Sequence, residues 1–175
     1  MILDASSILS QNQAITATAT STYVYDTAGL GVGNAVSNIF GNATVGSNAS
    51  FGEDIGGGGP LVSPPQLVAI VGTTFTAGGS ATMQVQLQAA VDTNNTGTPS
   101  TWNTIVETDT LAVALLTSGR FIARFTVPER YPGQGFPRFY RLNYVVATGP
   151  MTAGTIAFAG LVTGIDGAPT YPANY

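Results

Sequence analysis

The chain has 175 residues, of which 44% are hydrophobic and only 8% charged, against about 25% charged in an ordinary soluble domain. It contains no Cys, Lys or His, which removes disulfides, thiolate metal sites and the usual general bases and activated nucleophiles. A single domain, 1–175, with a sizeable core fits this length; its surface must be built from Thr, Ser, Asn, Gln and Gly, with little charge repulsion between molecules, a state best tolerated in an assembly.

The opening MILDASSILS carries Asp4 and no early base, which argues against a secretory leader. In the following QAITATATSTYVYD, Thr16, Thr18 and Thr20 alternate with Ile15, Ala17 and Ala19. Residues 1–26 are therefore expected to be extended, as an outer strand or as an arm on a neighbour. Residues 29–60 are dominated by Gly, Asn, Ser and Ala and read as a long irregular excursion. Within it, GLGVGNAVSN lacks the G-x-G-x-x-G spacing of a dinucleotide site.

QLVAIVG reads as a strand buried on both faces. TMQVQLQ alternates Met83, Val85 and Leu87 with Gln84, Gln86 and Gln88, a half-buried strand with an uncharged polar outer face. DTNNTG, from Asp92, has a spacing akin to a calcium loop but lacks the closing Glu, so a plain hairpin loop is expected. In VETDT, Glu107 and Asp109 stand two apart; they are the nearest thing to a paired-carboxylate site, and two solvated carboxylates are the expected reading. LAVALLTSG is either a short helical turn ending at Gly119 or a loop-edge strand. FIARFTV, YRLNYVV and TIAFAGLVT complete the strands, and residues 166–175 form a tail. Period-two segments separated by Gly/Pro/Asn turns predict an all-β fold with long Gly/Asn-rich loops, an antiparallel β-sandwich or jelly roll. No run of about 20 apolar residues is present, so no membrane span is expected. Without Lys, the flat neutral strand edges need bulges, loops or neighbouring subunits for protection, and neighbouring subunits fit the composition best.

All five basic residues, Arg120, Arg124, Arg130, Arg138 and Arg141, fall between Arg120 and Tyr144. Set against Glu129 they give that stretch a net +4, while the other eight acids give the remainder −8, for −4 overall. Five cations in an acidic chain are too few for a surface that tracks phosphates, so no direct nucleic-acid binding is expected. Arg interleaved with aromatics is the composition of protein contact cores. The candidate interface is therefore Arg120, Arg124, Arg130, Arg138, Arg141, Tyr131, Phe136 and Tyr140. Pairing of these arginines with the chain's own acids is the alternative. A sugar platform using Trp102, Tyr131, Tyr171 and Tyr175, as in a host-recognition or carbohydrate-binding module, is a further one; for Trp102, packing at a strand end is the simpler reading.

Four phrases, MILDASSILSQNQAITATATSTYVYD, FTAGGSATMQVQLQAAVD, STWNTIVETDTLAVALLTSGRFIARFTVP and RFYRLNYVVATGPMTAGTIAFAGLV, occur in this order. Together they resemble the cement (capsid-decoration) proteins of short-tailed bacteriophages, with residues 29–51 longer and richer in Gly and Asn than that family. The resemblance implies an antiparallel β-sandwich of jelly-roll type and a structural virion protein, not an enzyme, made in the host cytoplasm. It would sit on the outer surface of an icosahedral head, with the major capsid protein and itself, as a homodimer or higher oligomer, as partners, and need no cofactor or metal. It would stabilise the shell against internal DNA pressure. If the arginines pair with carboxylates on the capsid or on a partner copy, Arg124→Ala or Arg141→Ala should weaken head binding.

Overall fold

The computed structural model describes residues 8–26, 66–93, 96–127 and 137–162. The 29–60 excursion, the 166–175 tail, Arg130, Tyr131, Phe136, Tyr171 and Tyr175 lie outside the described residues.

Twelve strands are described, all paired antiparallel. A four-stranded sheet has the order β1 (Ile8–Ala14), β12 (Thr155–Val162), β4 (Gln66–Val71), β9 (Phe121–Thr126). A six-stranded sheet runs β2 (Ala19–Thr20), β10 (Phe139–Ala147), β6 (Thr82–Ala90), β7 (Asn103–Glu107), with β3 (Tyr25–Asp26) also on β10 and β8 (Leu111–Ala112) also on β6. β5 (Thr76–Ala77) and β11 (Met151–Ala153) form a separate ribbon, and a 3-10 turn over Val113–Leu115 follows β8. The main pairings are nested: β6 with β7, β4 with β9, β2 and β3 with β10, β1 with β12. One long hairpin folded into two antiparallel sheets produces this order, in agreement with the all-β sandwich expected.

Alternation explains the core. Met83, Val85, Leu87 and Ala89 of β6 and Tyr140, Leu142 and Tyr144 of β10 point inward and join Leu9, Leu67, Ala69, Val71, Ile156, Ala159 and Leu161 of the other sheet in one buried cluster. The strands of QLVAIVG and TIAFAGLVT, β4 and β12, occupy the centre of the four-stranded sheet. The sheets are also tied by a polar contact: the Tyr144 hydroxyl of β10 donates to Ser10 Oγ of β1 at 2.8 Å, and Ser10 Oγ donates within β1 to Gln13 Oε1 at 2.7 Å. Residues 8–26 are an integral part of this body, not an arm: Ile15 is wholly buried, and the Tyr23 N–H bonds the Leu9 carbonyl at 2.9 Å.

The edges are handled by bulges. The β1–β12, β4–β9 and β6–β7 ladders each carry a register shift, at Ile8/Ser10, Ala69/Ile70 and Leu87/Gln88. Such shifts twist an edge away from flat pairing, so neighbouring subunits are not the only device protecting these edges.

Candidate functional site: two outer sheet faces and four arginines

The β9–β10 connection crosses from one sheet to the other, and this divides the arginines that are adjacent in sequence. Arg124 pairs in register with Val68 and points out from the four-stranded sheet. Arg141 pairs with Gln88 and points out from the six-stranded sheet. Arg120 is exposed just before β9. Among the described residues the arginines thus form no common patch.

Arg138 is bound inside the chain. Its Nε donates to Asp26 Oδ1 at 2.9 Å and its Nη2 to Asp26 Oδ2 at 3.1 Å, while Nη1 reaches Asp92 Oδ2 at 2.5 Å. The Asp92 carboxylate also accepts the backbone N–H groups of Thr96 (3.0 Å) and Gly97 (2.8 Å), so the expected hairpin loop is closed by its own Asp and then pinned by Arg138. Side-chain exposure is 13% for Arg138 and 4% for each aspartate. The bidentate bonds to Asp26 raise the Arg138 pKa further. Here the alternative of pairing with the chain's own acids describes the residue. Tyr140 must likewise be removed from the interface set. It faces inward on β10, is 6% exposed and packs beside Tyr25 at 6.5 Å between ring centroids; burial pushes its hydroxyl up to about 12.

The outer face of the six-stranded sheet is polar and cross-linked. One row runs Asn143–Gln86–Glu107: Asn143 Nδ2 donates to Gln86 Oε1 and Gln86 Nε2 to Glu107 Oε2, both at 2.9 Å. The next row runs Arg141–Gln88–Thr104, with Arg141 Nε donating to Gln88 Oε1 at 2.8 Å. The Arg141 guanidinium lies over the ring of Trp102, just before β7, at 4.3 Å. Desolvation lowers the Arg141 pKa. A Trp102 face covered by arginine is not an open sugar platform. Glu107 belongs to the amide row, and Asp109 lies beyond the strand end; the sequence singled out this carboxylate pair but missed the glutamine that holds Glu107.

The outer face of the four-stranded sheet has the opposite character. Phe158, Ile70 and Phe121 stand directly opposite one another across β12, β4 and β9. The adjacent row is Ile8–Gly160–Val68–Arg124. None of Phe158, Ile70 and Phe121 belongs to the core cluster, and Phe121 is 50% exposed. Period two in β9 predicts that Phe121 points inward with Ala123 and Phe125; the Ala69/Ile70 bulge turns it outward.

A family model, Bbp16, matches residues 9–159, from β1 into β12. The chain belongs to the Bbp16 family. The matched span takes in both sheets, all four described arginines and both outer faces. No curated protein matches the chain.

Proposed function

We propose that the protein is a structural virion component, a cement protein that binds the outside of an icosahedral phage head and bridges subunits of the major capsid protein. The observation that carries this reading is the Phe158–Ile70–Phe121 row on the outside of the sandwich. Apolar side chains aligned across three strands, with Phe121 half-exposed and Ile70 and Phe158 partly so, mark a protein contact surface, and Arg124 beside them adds one fixed charge for a carboxylate opposite. The resemblance of the sequence phrases to cement proteins supports the same reading. The role is mechanical: a protein that binds the assembled shell and not free subunits stabilises the shell by mass action. A protein partner is favoured over nucleic acid, since Arg138 is neutralised by two aspartates and Arg124 and Arg141 sit on opposite sheets. A second copy of the chain is a further partner in the assembled state.

Co-sedimentation with heads stripped of their own decoration tests the reading. Saturable binding is expected, with decorated heads surviving a heat challenge that bare heads fail. A stable, folded protein that leaves stripped heads unbound overturns it.

A further inference from the structure

Arg141 differs from Arg138 in one respect that has chemical consequences. An arginine carries five N–H donors in a fixed planar fork. Arg138 uses its fork on two carboxylates. Arg141 donates only through Nε, to Gln88, and makes no ion pair among the described residues. Its plane is held from two directions, by the Gln88 bond at its base and by the Trp102 ring at 4.3 Å. Both terminal nitrogens, with four N–H donors, remain unbonded to any described residue. The rotamer entropy that usually opposes arginine binding has already been lost here, so a planar acceptor meets a preorganised fork. Burial against the ring also disfavours the charged form, so a counter-anion gains more here than at a fully solvated arginine.

We propose that the Arg141–Trp102 stack is a preformed receptor for a carboxylate, the Asp or Glu side chain of an acidic segment on a second protein. A carboxylate offers two coplanar oxygens that match the fork's outer edge. Glu107, held by Gln86, stands one row along the same face and two strands across from Arg141, and its negative charge opposes a dianion more than a monoanion. Gln88 and Thr104, in the same row as Arg141, offer uncharged donors to a peptide lying across the face. The site is on the opposite side of the sandwich from the Phe158–Ile70–Phe121 row, so it stands independently of the cement reading: head binding through that row can fail while this site holds, and the reverse.

Trp102 is the only tryptophan of the chain, so its emission reports on this site alone. The full chain is titrated at constant ionic strength with capped hexaglutamate, with inorganic phosphate, and with an uncharged Gly-Ser hexapeptide. Trp102 fluorescence and the Arg141 Nε–H resonance are followed. The expected result is a saturable response to hexaglutamate only. It should weaken at least tenfold in Arg141→Gln and severalfold in Arg141→Lys, which keeps charge but not the fork, and be unchanged in Arg124→Gln. A flat titration, an equal response in folded Arg141→Gln, or phosphate binding as tight as the peptide would each overturn the assignment.

Discussion

Arg138 and Arg141 are three residues apart on one strand and its approach, yet their substitutions should behave oppositely. Arg138→Gln leaves the carboxylates of Asp26 and Asp92, each 4% exposed, without their shared cation. Breaking a buried pair from one side costs about 3 kcal/mol, so the urea midpoint should fall sharply; a loss under about 1 kcal/mol would show that the cluster is dispensable. Arg141→Gln removes a surface stack and should change stability by well under that amount. The buried tyrosines predict an alkaline limit. Tyr140 is pushed up to about 12 and Tyr144 is also raised, both chiefly by burial. Below pH 10 both states keep these protons and the stability is intact. Between 10 and 12 the unfolded chain releases them while the fold retains them, so stability falls, by about 1.4 kcal/mol per pH unit for each tyrosine. Denaturation midpoints at pH 9, 10 and 11 should show the fall, and Tyr140→Phe should make it shallower. A pH-independent midpoint would contradict the burial.

At the scale of elements, the connections are more tightly specified than their Gly-rich composition suggests. Gly154, between β11 and β12, has φ +140, and a Cβ there would lie 2.1 Å from the buried Phe75 ring. Gly149 has φ +114 and nothing within 4 Å. Gly154→Ala should therefore cost roughly 3 kcal/mol or more, from strain and overpacking together, whereas Gly149→Ala should cost about 1 kcal/mol from the backbone alone. Equal losses in thermal melts would mean that Phe75 moves aside freely. Strand identity was largely legible because each strand packs one face or both: the Met83/Val85/Leu87 against Gln84/Gln86/Gln88 alternation of β6 appears in the fold as read. Residue pairing was not legible, because a bulge shifts the period without a mark in composition. It is the bulge at Ala69/Ile70 that places Phe121 outside. The arginines misled for a related reason: residues close in sequence across the β9–β10 connection belong to different sheets, and the partners of Arg138 lie 112 and 46 residues away.

For the molecule as a whole, the two sheets present faces of unlike chemistry to their surroundings. The amide rows of the six-stranded sheet satisfy one another laterally, Asn143 to Gln86 to Glu107, and such a face is stable in water without a partner. The four-stranded face has no lateral hydrogen bonds to offer at Phe158, Ile70 and Phe121, and its exposed member gains free energy only by being covered. This asymmetry ranks the faces for shell binding. Phe121 is 50% exposed and outside the core cluster, so Phe121→Asp should leave the melting temperature nearly unchanged while placing a charge in the contact. Affinity for stripped heads should fall at least tenfold, about 1.4 kcal/mol, whereas Gln86→Ser on the opposite face should bind as the parent does. Quantitative co-sedimentation of the two variants decides between the faces. Loss with Gln86→Ser and retention with Phe121→Asp would put the shell on the amide side and leave the apolar row to contacts between copies of the chain.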